Sequence, residues 1–152
     1  MHGGRIEWFL DMEAYQLNGK YWPKEIAIVN RDSSICHNFH IWAPRRLKNL
    51  AKGLTAQYQY KRHNLRWEFG EWKLSDVKTL IRLTIARQPV GIKGEEKCRY
   101  FEQWGLNVHS LDELPSLKTL NIYPNEHCEI RHGTCARQKC YEILNAYNNM
   151  LL

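Results

Sequence analysis

Ile6-Glu7-Trp8-Phe9-Leu10-Asp11-Met12-Glu13-Ala14-Tyr15 is the stretch that decides the fold. It is apolar and aromatic, broken by two carboxylates two residues apart. An extended chain alternates its side chains, so Asp11 and Glu13 share one face of the strand this stretch predicts. Asn18-Gly19 then supplies a turn, and Lys24 to Asn30 reads as a second strand. Asp32-Ser33-Ser34 turns the chain again into a third, Ile35 to Trp42, stopped by Pro44. Three consecutive strands joined by turns make an antiparallel meander.

Further on, the period changes. Arg45 to Lys52 reads as a short basic helix ended by Gly53. Thr55 to Trp72 has no clean period and is assigned to helix and loop. Ser75-Asp76 is expected to cap a helix with an apolar face from Val77 to Ile85, continuing to Arg87 and ended by Pro89. Val90 to Lys93 is a short strand. Glu95 to Trp104 is a helix with Cys98, Phe101 and Trp104 on one side, closed by Gly105, and Leu106 to His109 is the next strand. A turn from Leu111 to Leu114, a brief helix from Ser116 through Leu120 and a final helix from Cys135 to Leu152 complete the chain. The expected fold class is α/β: a mixed sheet, antiparallel meander plus parallel strands crossed by helices, in one domain spanning 1–152. Such a sheet resembles the ribonuclease H-like fold.

Composition narrows the functional classes. Hydrophobic residues at 43% and charged residues at 25% are globular values. No apolar run approaches the ~20 residues that span a bilayer. Met1-His2-Gly3-Gly4 lacks the apolar core of a secretory signal, so the expected location is intracellular, cytoplasmic or nuclear, where thiols stay reduced. A net charge of +6 favours an anionic partner, nucleic acid before membrane. Arg45, Arg46, Lys48 and Lys52, with Lys61, Arg62 and Arg66, are interleaved with Tyr58, Tyr60 and Trp67, a pattern suited to unpaired RNA bases and their phosphates. His63 in the same segment is a candidate acid or base for metal-independent RNA cleavage.

Three of the five cysteines fall between Glu126 and Cys140. Cys128, His132 and Cys135 have the C-x3-H-x2-C spacing of three zinc ligands drawn from a loop and a helix start. A closed site needs a fourth. Cys140 lies about 140° round the helix from Cys135 and is assigned to the core. Cys36 and Cys98 read as small buried residues. His37 and His40 lie on opposite faces of their strand, so at most one can join a site.

Phe9-Leu10-Asp11-Met12-Glu13-Ala14 resembles the D-x-E motif that opens the DEDD-type 3′–5′ exonuclease fold, in which paired carboxylates hold catalytic metal ions. The later acids of that family are not in register. Lys97 stands near the expected position of the second motif, flanked by Glu95 and Glu96, and the third motif offers His132 with no following acid. The chain is more similar to the MAEL domain of Maelstrom proteins of small-RNA silencing, in which a Glu-Cys-His-Cys set binds zinc in place of the nuclease acids. Carried over, the resemblance implies a structural zinc on Glu13, Cys128, His132 and Cys135, with His127, water or Cys140 as rival ligands. Asp11 is then expected as a capping or solvated carboxylate nearby. The function implied is a degenerate exonuclease-fold domain that binds RNA or a protein partner. The alternatives are an active 3′–5′ exonuclease using Asp11, Glu13 and one of Glu95, Glu96 or Asp112, and a metal-independent ribonuclease.

Overall fold

The computed structural model describes residues 5–17, 19–43, 67, 69–114 and 135–150. Among these, the chain runs through strand β1 (Trp8–Leu17), β2 (Lys20–Asn30), β3 (Cys36–His40), helix α1 (Leu74–Ile85), β4 (Pro89–Ile92), α2 (Glu95–Glu102), β5 (Asn107–Ser110) and α3 (Ala136–Met150). The strands form one sheet in the order β3-β2-β1-β4-β5. β1, β2 and β3 pair antiparallel, and β4 pairs parallel with both β1 and β5. The expected α/β architecture, a meander joined to helix-crossed parallel strands, is present.

Both faces of this sheet are covered, which explains why β1 carries an almost unbroken apolar run. Trp8, Leu10 and Met12 point to one face and pack with Ile26, Ile28 and Phe39 against Val77, Ile81 and Ile85 of α1 and Cys98 and Phe101 of α2. Phe9 points to the other, where Ala27 and Val29 meet Ala136, Cys140, Ile143 and Leu144 of α3. Asp11 and Glu13 follow Phe9 on that second face and are therefore buried under α3, at 1% and 4% exposure.

Several boundaries differ from those the sequence suggests. α1 begins at Leu74 with Lys73 as N-cap and no side-chain cap bond, so Ser75 and Asp76 sit inside the first turn. The Lys73 carbonyl accepts from the amides of both Asp76 and Val77, which satisfies the helix start without a hydroxyl. Asp76 still favours that end through its charge. Pro89 opens β4, where its carbonyl accepts from the Glu7 amide at 3.0 Å. Gly105, with φ +79, follows α2 as expected. Cys140 is fully buried and Cys98 is buried, whereas Cys36 is only half-buried because β3 is the edge strand.

Residues 69–72 lie along β3. Trp72 forms a parallel bridge with Ile41, its carbonyl accepting from the Trp42 amide at 2.8 Å, and the His40 carbonyl accepts from Glu71 and Trp72. Gly70 permits this approach: its φ is +140, and a Cβ there would collide with the Ile41 carbonyl.

Candidate functional site

The strand register builds a polar row on the α3 face. Glu13 is directly opposite Glu25, and Glu25 directly opposite His40, so one residue from each meander strand stands side by side. The neighbouring row is Asp11, Ala27 and Asn38. Buried carboxylates need partners, and among the described residues Lys97, Lys139, Cys135 and Ala136 are some of those that supply them.

Lys97, from α2, places its Nζ 2.8 Å from Asp11 Oδ1. Lys139, from α3, places its Nζ 2.8 Å from Glu13 Oε1. Burial pushes the Asp11 carboxyl above the usual carboxylate range, with Lys97 and Lys139 pulling the other way. Its Oδ2 is buried without a hydrogen-bond partner. Asp11 is thus neither solvated nor a cap, contrary to expectation, because it lies mid-strand beneath a helix. Glu142, one turn beyond Lys139 on α3, joins the same field: burial raises its pKa first, Lys139 lowers it and Asp11 raises it.

Glu25 is completely buried and caps α3. Its Oε1 accepts from the Ala136 amide at 2.8 Å, where the helix N-terminus presents unsatisfied N–H groups and partial positive charge. Its Oε2 lies 3.7 Å from Cys135 Sγ and 3.4 Å from His40 Nε2. Cys140 lies beside this group in the core: its Sγ is 3.2 Å from the Ala27 carbonyl, and burial, with the charges of Asp11 and Glu25 adding to it, raises its pKa well above the ordinary thiol value.

No family model matches this chain, and no curated protein does.

Of the expected zinc ligands, Glu13 meets Lys139 and the Cys135 thiol meets Glu25, while Cys128 and His132 lie outside the described residues. His127 does too. Among the described residues, no three His, Cys, Asp or Glu side chains form a group able to hold a metal ion. The proposed RNA-binding residues Arg45, Arg46, Lys48, Lys52, Tyr58, Tyr60, Lys61, Arg62 and Arg66 all fall outside the described residues, as does His63. The alternative nuclease acids have other employment. Glu95 pairs with Arg99 on the exposed side of α2, Glu96 accepts from the Tyr21 hydroxyl at 2.6 Å, and Asp112 accepts from the Gly94 amide at the start of α2. His40 is on the Glu25 face and His37 is opposite Ile28, so the two histidines do lie on opposite faces.

Lys24 is a second feature the sequence did not single out. Its side chain is fully buried, yet its Nζ donates to the carbonyls of Ile41 at 2.7 Å, Trp67 at 2.8 Å and Phe69. Trp67 packs edge-on to Tyr15 and Trp22. A single ammonium thereby gathers backbone from both sides of the 44–66 segment onto the sheet. The signal was an adjacent Lys24-Glu25 pair inside a long strand: neighbouring residues face opposite sides, and with both sides covered each must find partners.

Proposed function

We propose that this chain is a ribonuclease H-like domain whose acidic centre is neutralised by lysines in place of magnesium, and that it acts by binding RNA without cutting it. The ribonuclease H-like part is supported by the sheet, with an antiparallel meander on one side of β1 and helix-crossed parallel strands on the other. The single observation that carries the loss of cutting is the pair of contacts Lys97–Asp11 and Lys139–Glu13. Two-metal phosphoryl transfer requires carboxylates that hold two cations about 4 Å apart. Here an ammonium group sits on each carboxylate of the D-x-E pair, so magnesium does not fit without expelling both lysines.

Charge supports the RNA reading. The whole chain has a net charge of +6, while residues 44–66 contain seven Lys and Arg and no Asp or Glu. All of the excess charge therefore resides in that one segment. An acid-free run of this kind gains from releasing counterions of a phosphate backbone and repays salt with weaker binding.

A zinc corner remains part of the proposal, with one change of ligand. Oxygen and sulfur ligands on one tetrahedral zinc are about 3.5 Å apart, from bond lengths near 2.0 and 2.3 Å. Glu25 Oε2 and Cys135 Sγ, at 3.7 Å, fit that spacing, whereas Glu13 is held by Lys139. Glu25 and Cys135 would hold the ion with Cys128 and His132, and the metal would add folding free energy to that corner. A role in small-RNA silencing comes from the Maelstrom resemblance alone.

The test uses the full chain with an end-labelled single-stranded RNA and magnesium or manganese, measuring retention and shortening together. Retention without shortening is expected. Shortening that Asp11→Asn abolishes would contradict the proposal.

A further inference from the structure

We propose that the open cleft at the end of the sheet where β1 begins and β2 ends is a guanine-binding subsite for single-stranded RNA, read by the Glu7 carboxylate and the Arg31 guanidinium. The proposal rests on the RNA-binding reading and adds a base preference to it. The cleft has a volume of about 530 Å³ and lies where the start of β1, the end of β2, the β2–β3 turn, Gln88 before β4 and Asn148 of α3 meet. That volume is in the range of small-ligand sites.

Backbone pairing sets the two charges side by side. The Arg31 amide donates to the Glu7 carbonyl at 2.9 Å, and the Glu7 amide donates to the Pro89 carbonyl at 3.0 Å, so both backbones are fixed. Both residues line the cleft, yet among the described residues neither side chain has an ion pair. The other walls are tied to the protein. The Trp8 indole N–H donates to Gln88 Oε1 at 2.5 Å, which leaves the Gln88 amide N–H groups to a ligand. Asn30 accepts from the Ile35 amide and donates to Ser34 Oγ, and Asp32 Oδ1 accepts from the Ser34 amide. Walls ordered beforehand lose little freedom when a ligand enters.

The mixed charge of the lining selects the ligand. A simple anion is repelled by Glu7 and Asp32, and a simple cation by Arg31. A neutral base with separate donor and acceptor edges is opposed by neither. Glu7, with both carboxylate oxygens unengaged among the described residues, can accept from two adjacent N–H groups, and the Arg31 fork can donate to two adjacent acceptors. Guanine carries both pairs: N1–H beside N2–H on one edge, and O6 beside N7 on the next. Adenine, cytosine and uracil offer no two adjacent donor atoms, so each leaves the Glu7 carboxylate half-paired.

The experiment titrates the full isotope-labelled chain with guanosine, inosine, adenosine, cytidine and uridine, following the Trp8 indole N–H resonance, assigned with Trp8→Phe. Guanosine should move this resonance saturably. Inosine, which lacks the N2 amino group, should bind more weakly, and the other three should not compete. Glu7→Gln and Arg31→Lys should each weaken guanosine binding about 5- to 150-fold, the discrimination carried by one bidentate pair. Arg31→Lys keeps the charge and loses the fork, while Leu83→Ala, at an exposed site on α1, should have no effect. Circular dichroism of each variant separates lost contact from lost fold, and the selectivity of the wild-type chain needs no variant. Salt-sensitive binding of an oligouridylate, which contains no guanine, tests the RNA reading on the same samples. If guanosine and adenosine act alike on Trp8, or guanosine leaves it unmoved near its solubility limit, the guanine site is wrong, and RNA binding stands if the oligouridylate is still held. If guanosine binds as expected and the oligouridylate does not, the base site stands and the RNA reading fails.

Discussion

Replacing Lys97 by Met removes the ammonium from Asp11 and leaves the strand otherwise intact. Asp11 is 1% exposed and its Oδ2 already lacks a hydrogen-bond partner, so the ionised carboxylate has little water to replace the lost ammonium. Breaking a fully buried ion pair costs about 3–5 kcal/mol, and an exposed one about 0–1. The Lys97 side chain is 23% exposed and the Asp11 side chain 2%, which places this pair between the limits, at about 2 kcal/mol. For a chain of this size that is a fall of about 4–8 °C in Tm.

The pH dependence has a definite sign. The folded Asp11 carboxyl titrates above its unfolded value, so ionising it costs stability. That cost is fully present above the folded pKa and is lost as the pH falls through it. Removing Lys97 takes away the largest opposing influence and moves this window to higher pH. Urea unfolding of wild type, Lys97→Met, Asp11→Asn and the double variant at several pH values gives the cycle. The double variant should recover most of the loss, and only Lys97→Met should gain stability markedly on mild acidification. Additive single effects, with no coupling and no shifted window, would refute the buried ion pair as a functional replacement for a metal.

Other expectations concern the anchors. Lys24→Met strips three carbonyls of their donor in a fully buried site and should cost about 3 kcal/mol or more in urea unfolding. Gly70→Ala, at φ +140 and facing the Ile41 carbonyl, should cost about 2 kcal/mol or more, and should expose Trp72 further to acrylamide quenching. Elemental analysis should find about one zinc per chain, lost in Glu25→Gln and Cys135→Ser and kept in Glu13→Gln. Zinc loss in Glu13→Gln alone would return the ligand to β1.

Much of the fold was legible because its signals are local. Asn18-Gly19 and Asp32-Ser33-Ser34 mark the two meander turns, and the second does so chemically: Asp32 Oδ1 accepts from the Ser34 amide and Ser33 takes φ +59. Period-two geometry put Asp11 and Glu13 on one face, and the motif register set Lys97 where an acid was expected, a position from which it does reach Asp11. The Glu25–Cys135 contact was not legible. It depends on which residues face one another across β1, β2 and β3, and β1 and β2 slip register between Glu13 and Ala14. Glu25 also looked like the polar start of a strand that in fact begins at Lys20. Glu142 escaped notice because nothing in the helix period says that it reaches the field of Asp11 on β1, at the other end of the chain.

The most direct test of the lysine-neutralised centre is manganese binding followed by paramagnetic relaxation or EPR. Wild type should bind no manganese at the acidic centre and should retain RNA in a strong chelator. Lys97→Ala with Lys139→Ala should create a manganese site that Asp11→Asn abolishes. Manganese bound by the wild-type chain and lost in Asp11→Asn would contradict the account.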